Sequence, residues 1–205
     1  MPYRATAKMA IRKNERRQRW LEAASRLFGE HGYHATTVPM IVAGAASSTG
    51  SFYLEFRNKE DIFAAVLEAL GMRVEELVEV AQAKADDALM QVWGAVTALC
   101  LFLAKNPLEA RILIVESSGL SRRLETVRRN VLGRHVARMT GIMKAHPNAF
   151  AVAYPEVAAQ CLIGAILESL HGWLDTDDAM RLPIEEIVRV TSEHSVRAIA
   201  RVGHC

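Results

Sequence analysis

Residues 36–53, Thr-Thr-Val-Pro-Met-Ile-Val-Ala-Gly-Ala-Ala-Ser-Ser-Thr-Gly-Ser-Phe-Tyr, constrain this chain more than any other stretch. Thr36 or Thr37 can cap a helix whose first turn accepts Pro39, because an N–H there has no intrahelical partner to lose. Gly44-Ala45-Ala46-Ser47 breaks that helix, and Ser47 or Ser48 caps a second one that ends near residues 53–55. Helices of about two turns do not recover the cost of nucleation, so both must lean on larger neighbours. The polar side of the second is then left facing outward.

The neighbours are legible on either side. A helix opens near Asn14, with Trp20, Leu21, Ala24, Leu27 and Phe28 at helical spacing, and Gly32 offers a left-handed C-cap. Asn58 caps a helix that runs from Lys59 to about Lys84, with Glu60 and Asp61 complementing the dipole of its first turn. Its apolar side (Ile62, Val66, Ala69, Leu70, Val74, Leu77, Val78) is continuous, and its length makes it a bridge between two domains. Pro107, Pro147, Pro155 and Pro183 punctuate further helices at 86–104, 107–117, 121–145, 155–174 and 184–202. Strand-type alternation appears nowhere, and no internal repeat is present. The expected fold is all-α: an arm over 1–13, a three-helix domain over 14–66, and a second helical domain over 67–205.

Charge separates the two parts. Residues 1–60 carry ten Lys/Arg against five Asp/Glu, whereas residues 61–205 carry fifteen against eighteen. A basic N-terminal part suits a polyanion, either nucleic acid or a membrane surface. Residues 1–13 read as a mobile basic arm, and Arg16 and Arg17, next to the folded part, are its best candidates for backbone contact.

Several chemistries are excluded. Cys100, Cys161 and Cys205 have no metal spacing, and the apolar surroundings of the first two suit reduced cysteine packed as a small hydrophobe. No signal-peptide core and no run of about 18 apolar residues is found, so a cytoplasmic protein without a membrane partner is expected. His135, Met139, Met143 and His146 lack ligand spacing, so no metal is expected. Ser117-Ser118-Gly119 beside Glu116 has neither the preceding strand nor the histidine that nucleophilic catalysis needs, and no glycine-rich phosphate loop occurs. Neither an enzyme nor a cofactor is expected.

A helix followed by Gly32-Tyr33, Thr36-Thr37-Val38, a small-residue turn, Gly50-Ser51-Phe52-Tyr53, Phe56 and Asn58-Lys59-Glu60 resembles the N-terminal domain of TetR/AcrR-type transcriptional regulators, over about residues 15–66. The resemblance implies a helix-turn-helix on operator DNA, a homodimer, and a larger domain that binds a small effector and releases the DNA. The residues themselves agree. Thr36, Thr37, Ser47, Ser48, Thr49 and Ser51 supply hydroxyls for bases or phosphates, Gly50 permits close backbone approach, and Tyr53 and Lys59 can grip phosphate. The chain departs from the family at Ala46-Ser47, where a glycine and a branched residue are usual, at Thr49, where a basic residue is usual, and at Leu54, where an aromatic or His is usual. A left-handed Ala46 would cost about 1 kcal/mol. A helical small-molecule binding or scaffold protein that never meets DNA is the other reading.

An effector of small, hydrophobic type would lie between the bridging helix and the helices of 86–174, against Trp93, Leu99, Cys100, Phe102, Leu103, Met139, Met143, Cys161 and Leu167, with Glu168 and His171 as polar groups. The arginines of 121–145 suit either an anionic effector or a solvated face paired to acids elsewhere. The segment 157–174 is apolar nearly all round and must be covered on two sides. Its residues Ala158, Leu162, Ala165, Ser169 and Trp173, with Ile187, Thr191, Ser195 and Ala198 of the last helix, are expected to meet a second copy across a two-fold axis, which implies a near-palindromic operator.

Overall fold

The computed structural model describes residues 3–177 and 179–201, with side chains from residue 11 onward; Cys205 and the side chains of Arg4 and Lys8 lie outside the described residues. The first helix, α1, spans Tyr3–Ala35 and so begins well before Asn14. Residues 5–13 are rich in Ala, Lys, Met and Arg, and lengthening an existing helix carries no nucleation cost. Of the residues read as an arm, those from Tyr3 onward therefore continue its backbone. Gly32, at φ 79°, kinks its last turn.

Three short-range signals placed the next elements. Thr37, rather than Thr36, caps α2 (Val38–Gly44), Ser48 caps α3 (Thr49–Glu55), and Asn58 caps α4 (Lys59–Gln82). The chain continues through α5 (Ala88–Lys105), α6 (Pro107–Arg111), a π-helical segment (Ile112–Glu116), α7 (Arg122–Ala145), α8 (Pro155–Asp175) and α9 (Ile184–Ile199). No strand forms among the described residues; Phe150 and Ala200 make an isolated antiparallel bridge that ties the α7–α8 connection to the end of α9.

Apolar burial is split into two cores that share α4. The first gathers Trp20, Phe28, Ile41, Phe52 and Phe63 with α4 as far as Leu70, and it takes in Ile112 and Leu124 from the body of the protein. The second begins on α4 at Val74 and is filled by α5, α7, α8 and α9. The phenylalanine ring of Phe28 meets Phe63 edge-on at 4.8 Å, and Trp20 meets Phe52 at 5.4 Å, which seats α3 on α1.

Two of the contacts between head and body are close packing and a row of ion pairs. At Gly29 of α1, an added Cβ would lie 2.6 Å from the Leu108 Cβ and 2.9 Å from its carbonyl oxygen, so α1 and α6 touch as closely as glycine permits. Along α4, acids face the arginines of α7: Asp61 meets Arg123, Glu68 meets Arg134 at 3.2 Å, and Glu79 meets Arg138 at 3.3 Å. Partner numbers rise together, so α4 and α7 run parallel. These arginines are the paired, half-solvated face that the sequence left as one of two readings.

Among the described residues two helices, α5 and α8, are long and apolar enough to cross a membrane by length and composition, although neither is an uninterrupted apolar run. In the fold α5 is clasped by α4 and α9, with the Thr97 and Ser192 hydroxyls 3.1 Å apart, while α8 leaves most of its apolar length uncovered.

Gly29→Ala is expected to lower stability by about 1–3 kcal/mol, because backbone rather than a flexible side chain occupies the space. Thermal unfolding of the variant measures this, and an unchanged midpoint would show that α6 can retreat.

Candidate nucleic-acid interface and internal cavity

The exposed edge of the head is built by the N-termini of α2 and α3. Thr37 and Ser48 stand at the surface, each accepting from a first-turn amide, Met40 N at 3.4 Å and Ser51 N at 3.2 Å. Thr49 and Gly50 are exposed, with open space where a Gly50 side chain would be, and Ser51 is half-buried with its hydroxyl 3.0 Å from that of Ser48. Ser47 is half-buried in the turn. Inward, Phe52 and Phe56 anchor the helix; outward, Tyr53 is 56% and Leu54 83% exposed. Free first-turn N–H groups, hydroxyls and a phenol on one convex edge can donate to phosphate and reach base edges.

Three residues assigned to contact have other occupations. Thr36 is fully buried, its hydroxyl donating to the Leu27 carbonyl at 3.0 Å and the Gly32 carbonyl at 2.8 Å, so it does not reach the exposed edge. Lys59 donates to the carbonyls of Tyr33 (2.7 Å), Thr36 (3.0 Å) and His34 (3.3 Å) and lies 4.3 Å above the Tyr33 ring. An ammonium has three N–H groups, and all three are taken. Burial lowers its pKa, and the Tyr33 phenol beside it is raised by burial and by the Glu60 charge. Arg16 pairs with Glu55 at 2.8 Å, fastening α3 to α1, while Arg17 stays exposed with its guanidinium 5.1 Å from the Phe56 ring.

Two residues join the edge that sequence reasoning did not assign to it. Leu54 had been noticed only as a substitution. Arg57 holds Asp61 with its Nε at 2.8 Å yet keeps an 83% exposed side chain, and it depresses the Asp61 carboxyl well below the usual carboxylate range, with Arg123 adding to the effect. Its position directly after the second helix was the available signal.

The turn that aims α3 carries the expected strain. Ala46 adopts φ 46°, the single non-glycine residue with positive φ among the described residues.

A cavity with about 40 Å³ of free space lies in the body, walled by Leu67, Gly71 and Val74 of α4, Leu99 and Leu103 of α5, Leu113 and Ser117 of the π-helical region, Arg128, Val131, Leu132 and His135 of α7, and Ile163 and Leu167 of α8. Burial, foremost, lowers the His135 pKa. Of the residues expected here, Leu99, Leu103 and Leu167 line it. Met139 lines an adjoining smaller space, with Val78, Ala95, Val96 and Ile166. Cys100 and Met143 are buried elsewhere in the core, the Cys100 thiol pushed up to about 12 by burial, and Phe102 is buried beneath the Arg73 guanidinium. Trp93 is half-buried away from the cavity, and Cys161 is exposed on the outer face of α8, contrary to its expected packing in the core. Glu168 and His171 line an outer groove with Ile114, Ser118, Arg128 and Leu167.

The expected dimer residues divide. Ala165, Ser169 and Ala198 are exposed, Ala158, Trp173 and Ile187 are half-buried, but Leu162, Thr191 and Ser195 are buried inside the monomer. The outward stripe of α8 consists instead of Cys161, Gly164, Ala165, Glu168 and Gly172, one position round the helix.

Ala46→Gly is expected to raise stability by about 0.5–1 kcal/mol by removing the left-handed penalty. Chemical denaturation measures it; a loss would mean that Ala46 packs usefully against the head.

Residues 21–66 match the family described as bacterial regulatory proteins, tetR family. The chain is 42% identical over 65 residues to the uncharacterized HTH-type transcriptional regulator YdgC of Bacillus subtilis, covering 32% of this chain and 33% of that one. It is 38% identical over 63 residues to the HTH-type transcriptional repressor AcnR of Corynebacterium diphtheriae, covering 31% and 33%. The matched stretch thus spans about a third of the length of these relatives. Over nearly the whole chain, the fatty acid degradation regulator FadR of Bacillus halodurans shares the fold, with a TM-score of 0.80 at 20% identity, covering 88% of this chain and 94% of that one. Residues 21–66 are thus similar to the N-terminal unit of the tetR family of bacterial regulatory proteins, and the chain as a whole shares the fold of the FadR structure.

Proposed function

We propose that the protein is a cytoplasmic transcriptional regulator, a repressor that binds a near-palindromic operator as a homodimer and leaves it when a small apolar effector enters the body. The observation that carries this reading is the exposed α2–α3 edge held rigidly above a cavity whose wall is the same helix, α4, that anchors the head. Leu67 belongs to the first core and also lines the cavity, so a ligand there presses on the head directly.

A second route joins the two. The Glu116 carboxylate, at the end of the π-helical segment, accepts from the Tyr33 amide at 2.8 Å and from Arg111 at 3.2 Å. Leu113 and Ser117, on either side of it, line the cavity. Movement of this segment is thereby passed to the kink at Gly32 and to the carbonyls that Lys59 holds.

The uncovered stripe of α8 supports dimerisation. An apolar helix on a protein surface needs a partner, and small side chains allow a second copy of itself to approach. Two heads must then meet successive major grooves roughly 34 Å apart, so a modest pivot of each removes one half-site.

A mobility-shift assay with DNA upstream of the coding region tests the reading. Tyr53→Phe is expected to weaken binding to every operator variant by about ten- to a hundredfold, the worth of one hydrogen bond to a charged group, without altering thermal stability. Lys59→Met is expected to lower stability, because it orphans three carbonyls. No shift with any DNA would leave a helical small-molecule binding protein. Removing the Glu116 carboxylate (Glu116→Ala) is expected to speed hydrogen exchange of the Tyr33 amide by tenfold or so while α5 amides keep their rates; equal rates at Tyr33 would show that this contact transmits nothing.

A further inference from the structure

Three of the hollow spaces of the body lie in series. The outer groove shares Arg128 and Leu167 with the cavity, and the cavity shares Leu99, His135 and Ile163 with the space beside Met139. Rotation of those few side chains would merge them into one channel running from the surface into the bundle. Its inner end is mostly apolar, walled by Val78, Val96, Met139 and Ile166, with His135 and with Arg138, whose charge is met by Glu75 and Glu79 of α4. At its outer end stands a second guanidinium, that of Arg128.

That guanidinium differs from its neighbours on α7. Arg123, Arg134 and Arg138 all reach acids on α4. Arg128 forms no ion pair among the described residues, and its Nε is buried with no hydrogen-bond partner; the Arg138 Nε is also buried without one, but there the charge is met by Glu75 and Glu79. Around it the cavity presents the Ser117 hydroxyl and His135, with no carboxylate in its wall. The acid at the groove, Glu168, directs an 85% exposed side chain outward and stands 4.0 Å from His171. A buried N–H of a charged group without an acceptor is costly, and an anion would relieve that cost with a charge-assisted bond.

We infer that the effector is an elongated apolar chain carrying a single anionic group, carboxylate or phosphate, bound with the anion at Arg128 and the chain directed inward toward Met139. The inference rests on the regulatory reading above only for its consequence, release of DNA. Binding must widen the channel, since its free space, about 40 Å³ in the central part, is far less than such a chain occupies. The widening falls on the α4–α7 contact, where a Cβ at Gly71 would already lie 2.7 Å from Val131. The chain therefore pushes α4, and with it the head.

The test is calorimetric titration of the full chain with dodecanoate, dodecyl phosphate and dodecanol, each below its micelle concentration. The acid or the phosphate ester is expected to bind at least tenfold more tightly than the alcohol; preference between the two identifies the head group. Shortening dodecanoate to decanoate and octanoate should weaken binding roughly three- to fourfold per methylene. Arg128→Gln should erase the preference over alcohol, Arg128→Lys should retain most of it, and Arg129→Gln, at the exposed neighbouring position, should change nothing. Equal affinity for alcohol and acid, indifference to Arg128→Gln in a protein of native circular dichroism, or no binding by any of the three probes overturns the inference. A mobility shift run in parallel separates the two proposals. Operator binding with no response to these probes sinks the ligand class alone, and probe binding without any DNA shift sinks the regulatory reading alone.

Discussion

The last carbonyls of a helix carry partial negative charge and have no intrahelical donors, and here those of α1 are met by one ammonium. Lys59 closes on the carbonyls of Tyr33, His34 and Thr36 while the Thr36 hydroxyl closes on those of Leu27 and Gly32. From the other side, the Glu116 carboxylate takes the Tyr33 amide. The α1 terminus is thus gripped by α4 and by the body of the protein together. The orientation of α2 and α3, and so of the exposed edge, follows from that grip.

The same grip explains how a small change inside the body can matter outside it. Packed interfaces have discrete arrangements, so displacement of α4 or of the π-helical segment is not absorbed locally. Gly29 against Leu108 and Gly71 against Val131 leave no slack at either junction. Wider turns such as the one over Ile112–Glu116 are found where a helix departs from its regular ladder, often at functional sites. Here the departure lies between the cavity and the head.

Much of the fold was legible because local rules decided it. The caps Ser48 and Asn58, the prolines opening α6 and α8, and the uninterrupted apolar side of α4 each act within a turn or two of chain. Ala46 belongs with them, since a turn this short forces positive φ at one position whatever residue stands there. The start of α1 was missed because charge was read as disorder where helix propensity was high. Roles that depend on distant partners were misplaced. Thr36 and Thr37 are chemically identical neighbours, and only the packing of α1 on α2 decides which is buried and which is exposed.

By itself the sequence determined the all-helical class, the order and approximate limits of the helices, the strained turn and the basic character of the head, because these follow from spacing, capping and charge along the chain. The tertiary structure alone decided what each polar group is used for. It committed Lys59 to carbonyls and Arg16 to Glu55, turned Leu54 and Arg57 outward, and moved the uncovered stripe of α8 by one position. It also distinguished Arg128 from the paired arginines of α7. A side chain's partners come from segments tens of residues away, and periodicity along one helix carries no record of what faces it.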